Sequence, residues 1–248
     1  NCFFKQLVPN EPTNKLLVYF QNVRGLNTKV DEFYSSVSLG EYVFFALVET
    51  WLNDSVKSTE LFPVNYNVYR CDRSFTETNT TRGGGVLFAF DNMYNVTPVD
   101  ISALKNDYPS IDILCCKIGL KDENIFVFVI YIPPHLSGNE FVSFFEDFEL
   151  YIISHEKVVI MGDFNVNKFV KGDLNIKCQA VYDMLNISGL NQYNTILNNY
   201  DCLLDLVFSN LKLEVGHEFA AACANRPVSS CASNKLSNQV YERHHIRF

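Results

Sequence analysis

The chain has 248 residues, 48% of them hydrophobic and 14% aromatic, with a formal net charge of -8 at pH 7. That length suits one large domain or two small ones, with ample apolar material for a packed core. The acidic balance counts against simple non-specific nucleic-acid binding, which leans on basic surface, and no apolar run reaches the ~18 residues needed to span a membrane.

In chain order, strand-like apolar runs are expected at 15–21, 42–49, 66–70, 84–90, 111–118, 124–131, 157–163 and 202–209. Helix-like segments fall between some of them. After Thr28, the positions Val30, Phe33, Tyr34 and Val37 mark an apolar face that Gly40 closes. A stronger helix is expected over 138–154, opened by the capping-box pattern Ser137-x-x-Glu140 and carrying Phe141, Phe144, Phe145, Phe148 and Ile152 on one face. A third is expected over 177–188, with Ala180, Met184, Leu185 and Ile187. Such aromatic faces are core in most proteins and are assigned no function. The polar stretches 72–83 and 166–176 read as surface loops, and 217–240, rich in Ala, Ser, Asn and Cys, carries neither period and reads as irregular or degenerate. Many strands with covering helices predict a two-sheet sandwich flanked by helices, with the whole chain, 1–248, as one domain.

Five of the apolar strands end in, or carry, one polar functional group each: Asn22, Glu49, Tyr131, Asp163 and Asp205. The run Val158-Val159-Ile160-Met161 closes in Gly162-Asp163-Phe164-Asn165, delivering a carboxylate and a carboxamide to a strand's C-terminal edge, where sheet enzymes keep their chemistry. Alone, that tetrapeptide reads equally as a tight turn in which Asp163 and Asn165 bond backbone. Buried Glu is rare unless it is paired or coordinates a metal, and Glu49 ends the run Tyr42 to Val48. All five together are hard to read as packing. Gly83-Gly84-Gly85 precedes a strand and lacks a Walker lysine, so it reads as a place where other backbone approaches closely.

The eight Cys are scattered, without C-x-x-C or zinc-ligand spacing, and several lie inside apolar runs. They read as core thiols, which implies a reducing compartment, nuclear or cytoplasmic. The chain opens on Asn1, so a fragment or processed product is expected, and a signal peptide is left open.

The ordered set Gln21-Asn22-Val23-Arg24-Gly25-Leu26, Glu49-Thr50-Trp51, Arg82-Gly83-Gly84-Gly85-Val86, Tyr131-Ile132-Pro133-Pro134, Gly162-Asp163-Phe164-Asn165 and Leu204-Asp205-Leu206-Val207-Phe208 resembles the endonuclease/exonuclease/phosphatase superfamily. Within it, the chain looks most like the apurinic-type endonuclease domain of non-LTR retrotransposons, over nearly all of its length to about residue 210. The resemblance implies a DNase-I-like, four-layered α/β sandwich: two packed mixed β-sheets flanked by helices. It implies a magnesium-dependent endonuclease, with manganese as a stand-in, that nicks target DNA. Glu49 would be the principal metal ligand, with Asn22 beside it holding the metal shell or the phosphate. Asp163 would orient or deprotonate the attacking water, Asn165 would fix that water and a phosphate oxygen, and Tyr131 would donate to a phosphate oxygen. Asp205 would orient a catalytic histidine. Arg24, Arg70, Arg73 and Arg82 lie near strand ends and are the candidates for meeting a DNA backbone.

The family's terminal Ser-Asp-His is replaced here by Tyr241-Glu242-Arg243-His244-His245-Ile246-Arg247-Phe248, similar to an acidic-x-His-His-Pro variant with Ile246 at the proline. Aligned by the second His, His245 is catalytic and His244 takes the metal-ligand position. Aligned by the proline, His244 is the base. His135, His155 and His217 read as solvated surface residues. The partners implied are target DNA and, in a full element, its RNA and a reverse transcriptase encoded downstream. No membrane partner is expected. The alternatives are a cellular phosphodiesterase or phosphatase of the same superfamily, and a decayed, inactive relic kept as a binding module.

Overall fold

The computed structural model describes residues 16–40, 42–73, 83–166, 169–170, 172–198, 201–217 and 244–247. The first half runs β1 (Leu17–Asn22), α1 (Val30–Leu39), β2 (Phe44–Val48), α2 (Ser58–Leu61), β3 (Tyr66–Cys71), β4 (Val86–Asp91), β5 (Asn95–Pro98) and α3 (Ser102–Asp107). The second half runs β6 (Asp112–Gly119), β7 (Asn124–Tyr131), α4 (Gly138–Ile152), β8 (Val158–Asp163), α5 (Ile176–Ser188), β9 (Asn191–Gln192), β10 (Asp205–Ser209), β11 (Glu214–His217) and β12 (His244–Arg247). All eight expected strands and all three expected helices form, within a few residues at their ends.

The strands make two mixed six-stranded sheets, ordered β11-β12-β1-β2-β4-β3 and β5-β6-β7-β8-β10-β9. Each holds one parallel pair at its centre, β1 with β2 and β7 with β8. Those strands are apolar along most of their length because both of their faces are covered. In β2 and β8 every residue is buried. The two-residue period sorts their side chains. Val18, Phe20, Val127, Val129, Val159 and Met161 point into the space between the sheets. Phe128, Ile130, Val158 and Ile160 point to the outer face of the second sheet, against Phe141, Phe144, Phe145 and Phe148 of α4. Tyr19, Phe45 and Leu47 face outward from the first sheet toward Val37 of α1. Helix, sheet, sheet, helix is thus a four-layered α/β sandwich.

The helix ends follow local chemistry. The Ser137 hydroxyl accepts the Glu140 N–H at 3.2 Å to open α4, and the Asn175 side chain accepts the Lys177 N–H at 2.9 Å to open α5. The face expected on α5 shifts slightly: Cys178, Val181, Met184 and Leu185 are buried, while Ile187 is exposed. Cys115, Cys116 and Cys178 are buried free thiols, and burial pushes the Cys116 thiol up to about 12. No helix among the described residues is long and apolar enough to cross a membrane. Apart from His217, the segment 217–240 lies outside the described residues, as does most of the 72–83 loop.

Candidate active site

Strand direction brings the polar residues together. Asn22, Tyr131 and Asp163 are the last residues of β1, β7 and β8, and Glu49 follows the last residue of β2. Asp205 is the first residue of β10, which runs antiparallel to β8 and pairs it opposite Asp163. All five therefore sit at one edge of the sandwich, on two sheets. The backbone ladder continues past the strands: Gly25 N–H donates to Glu49 O at 2.7 Å, and Ile132 N–H to Asp163 O at 2.9 Å.

Specific side-chain contacts join the two halves. Asn22 Nδ2 donates to Asp163 Oδ2 at 2.7 Å, across 141 residues of sequence. Asn165 N–H donates to Asp163 Oδ1 at 3.1 Å, and Asn165 Nδ2 donates to Ile132 O at 2.8 Å. The Tyr131 hydroxyl hydrogen-bonds the Glu49 carboxylate. Glu49 Oε2 also receives the Trp51 indole N–H, and Gly84 N–H at 3.4 Å. Asn194 Nδ2 holds the Asp205 carbonyl at 2.6 Å.

Burial raises the Asp163 carboxyl well above the usual carboxylate range. The neighbouring Asp205 and Glu49 charges push the same way, against the Asn165 and Asn22 hydrogen bonds. Burial also pushes the Tyr131 phenol up, aided by Glu49 and Asp163, so it stays a protonated donor.

Backbone strain gathers here. Of the five non-glycine residues with positive φ among those described, Arg24 (47°), Glu49 (57°), Trp51 (53°) and Asn165 (49°) are in or beside the cleft. Such conformations persist only where surroundings over-determine them. The glycine triplet supplies part of that: Gly85 O accepts Thr50 N–H at 3.2 Å and Gly84 O accepts Trp51 N–H at 3.0 Å. This backbone pairing with Thr50 and Trp51 is the close approach expected, and a Cβ on Gly85 would lie 2.5 Å from Thr50 Oγ1.

The arginine expectations need correction. Arg73 is buried and ion-paired with Asp112 at 2.6 Å, so it meets no DNA backbone. Arg70 is tied to Asp72 and to the carbonyls of Val56 and Asn53. Arg24 is exposed, and its N–H donates to Asn22 Oδ1 at 3.2 Å. Arg82 lies outside the described residues. His135 is exposed as expected, but His155 stacks on Phe126 with ring centroids 3.6 Å apart. Of the histidine tail, β12 pairs antiparallel with β1, placing the backbones of His244 opposite Phe20 and His245 opposite Tyr19. Their side chains, and any meeting with Asp205, lie outside what is described.

Trp51 and Gly84 as partners of Glu49, and the Arg73–Asp112 pair, were not assigned from the sequence. Trp51 stands two residues from Glu49, which is a usable signal. Asp112 carries none, since its partner is 39 residues away.

The oxygens of Glu49, Asn22 and Asp163 fit a hard divalent cation by type. Among the described residues no three His, Cys, Asp or Glu side chains form a metal-holding group. One or two carboxylates with waters is the low count that magnesium accepts, and mutual repulsion among Asp163, Asp205 and Glu49 is what a cation would relieve.

No protein-family model and no curated protein matches the chain. Among solved structures it is similar to the endonuclease domain of TRAS1, a telomere-specific non-LTR retrotransposon, with 12% identity, 93% of this chain and 97% of that chain covered, and a TM-score of 0.61. It is similar to D. rerio TDP2 complexed with single strand DNA product, with 11% identity, coverage of 94% and 98%, and a TM-score of 0.57. It is also similar to an AP endonuclease from Archaeoglobus fulgidus, with 10% identity, coverage of 93% and 98%, and a TM-score of 0.57. The chain has the DNase-I-like sandwich of the endonuclease/exonuclease/phosphatase proteins. That fold is shared by nucleases and phosphatases.

Proposed function

We propose that the chain is a magnesium-dependent phosphodiester hydrolase, a DNA endonuclease of a non-LTR retrotransposon that nicks target DNA and leaves a 3′ hydroxyl for priming. The observation supporting this reading is the Asn22–Asp163 hydrogen bond of 2.7 Å, which links the polar ends of the two sheets beside Glu49 and Tyr131. Held by Glu49 and Asn22, magnesium, or manganese in its place, would supply positive charge against the phosphodiester and its leaving oxygen. Asp163, oriented from both sides by Asn22 and Asn165, accepts the proton of the attacking water. Its raised carboxyl suits a base better than an ordinary aspartate does. Asn165 fixes the water and a phosphate oxygen. The Tyr131 hydroxyl turns from Glu49 to a phosphate oxygen, where a fixed donor acts most strongly as charge develops. Asp205 orients His244 or His245. Arg24 meets the DNA backbone. Target DNA is the partner, with element RNA and a downstream reverse transcriptase in the full element, in a nuclear or cytoplasmic setting.

A second reading is a phosphodiesterase or phosphatase acting on a non-DNA ester. The engagement of Arg70 and Arg73 elsewhere favours it, since of the strand-end arginines described it leaves only Arg24 for a DNA backbone. A supercoiled-plasmid nicking assay with and without magnesium separates the two. Magnesium-dependent nicking lost in Glu49→Gln is the expected result. Cleavage of a small phosphate ester with no nicking would replace the first reading with the second. Neither activity in a folded protein would leave the inactive relic.

A further inference from the structure

The cleft draws on two sheets, and a buried ion pair bridges them directly behind it. Arg73 follows β3 in the first sheet, and Asp112 opens β6 in the second. Their side chains are 4% and 5% exposed. Arg73 Nη2 donates to Asp112 Oδ2 at 2.6 Å and to Ser110 O at 3.0 Å, and Nε lies 3.4 Å from Asp112 Oδ1. The other ion pairs among the described residues, Arg70–Asp72 and Lys157–Glu123, each stay within one sheet.

A buried charge pair is by itself weak evidence for stability, because desolvation offsets much of the attraction. What this pair touches says more. Asp112 Oδ2 also accepts Gly85 N–H at 2.9 Å. The Arg73 guanidinium carbon lies 5.0 Å from the centre of the Tyr131 ring, and Tyr131 is the register partner of Asp112. A Cβ on Gly84 would lie 2.4 Å from the guanidinium and 2.5 Å from Asp112 Oδ2, so the turn rests on the pair. That same Gly84 gives its N–H to Glu49 Oε2 and its carbonyl to Trp51 N–H. One ion pair therefore touches two of the supports of Glu49, the glycine turn and the Tyr131 ring.

We infer that Arg73, with Asp112, is a positioning residue that fixes the Gly84–Gly85 turn and the Tyr131 ring, and through them the Glu49 carboxylate. The inference rests on reading the cleft as the hydrolytic site. Its planar fork does this by binding Asp112 and Ser110 while its face covers the ring, a combination that lysine lacks.

Trp51 is the chain's single tryptophan, and its indole N–H donates to Glu49. Its fluorescence therefore reads the geometry around Glu49 whether or not DNA is cut. The test compares the parent protein with Arg73→Met/Asp112→Asn, which removes both charges together while the new amide oxygen still accepts Gly85 N–H. Lys157→Met is the control, removing an ion pair far from the cleft. The pair variant is expected to stay folded, to nick plasmid about 10- to 100-fold more slowly through kcat with KM held, as for other residues that orient a metal ligand. Its Trp51 emission should shift to the red and become more open to acrylamide quenching. Arg73→Lys should fall between the two, and Lys157→Met should match the parent. A folded pair variant with parental emission and kcat overturns the inference. If the pair variant does not fold, Arg73→Lys decides: unchanged emission and kcat overturn the positioning role. If the parent itself nicks nothing, the nuclease reading falls, and the emission shift still supports or overturns the positioning of Glu49.

Discussion

The first sheet carries β1 and β2 as a parallel pair between antiparallel β12 and β4, and the second carries β7 and β8 between antiparallel β6 and β10. The same plan is finished differently on the two outer faces. The second sheet lies under two long helices, and its cover is built from Phe141, Phe144, Phe145 and Phe148. The first lies under α1, in which only Val37 is buried, and the short α2. The candidate site divides along the same line. Tyr131, Asp163 and Asp205 of the second sheet are buried, whereas Asn22 and Glu49 of the first are half-buried. A heavily covered sheet can hold carboxylates in unfavourable company. The lightly covered one leaves its polar strand-end groups open to solvent.

The largest effect expected from this contrast is on stability. Phe148→Ala should cost about 3–5 kcal/mol in urea or guanidinium unfolding, the range for truncating a fully buried aromatic. Phe33→Ala in α1 should cost distinctly less, because Phe33 is only partly covered. Equal losses would break the contrast between the two faces.

The next effect crosses the line between the sheets. Glu49→Gln and Asp163→Asn should each slow magnesium-dependent nicking by a factor equivalent to about 2.7–4 kcal/mol, with the fold retained, as when other fixed transition-state contacts are lost. Wild-type rates in both, measured beside a thermal melt, would remove the cleft from the chemistry.

A smaller effect sharpens the buried side alone. Because burial and the Asp205 charge raise the folded-state carboxyl of Asp163, its ionisation works against the native state. That contribution to stability is present below the ordinary carboxylate range and is lost as pH rises through the raised value. In chelator, Asp163→Asn should therefore melt above the parent at neutral pH, and the gap should close as the solution is acidified. A gap that widened in acid would mean that Asp163 sits charged and satisfied.

The smallest effect belongs to exposed Arg24. Arg24→Ala should weaken duplex binding uniformly across sequences and reduce the slope of log affinity against log salt by about 1. A titration at two salt concentrations that shows no change in slope would remove Arg24 from the DNA contact.

The strands were readable because β2 and β8 are covered on both faces, so their sequences are unbroken apolar runs. What stayed hidden has a common cause. In β5 (Asn95–Pro98) only Val96 is buried, leaving no alternation to see, and α3 opens without a side-chain cap. The strand-end polar residues were visible because each interrupts an apolar run. Their support was not. Arg73 looks like a surface cation beside Asp72, and only folding brings it to Asp112. The positive φ of Glu49 and Trp51 falls on residue types that do not announce it.

The pairing of β12 with β1 ties residues 17–20 to residues 244–247 in the interior of a sheet. Closing so long a loop is entropically costly and slow. Until that strand arrives, β1 presents an open backbone edge to any other extended chain. A chain shortened to residue 243 should refold with more aggregation and less yield than the full chain, in a light-scattering assay at matched concentration. The order in which the sheet closes is thereby a matter of synthesis and handling: a nascent chain must keep its first strand out of trouble until the strand that covers it has left the ribosome.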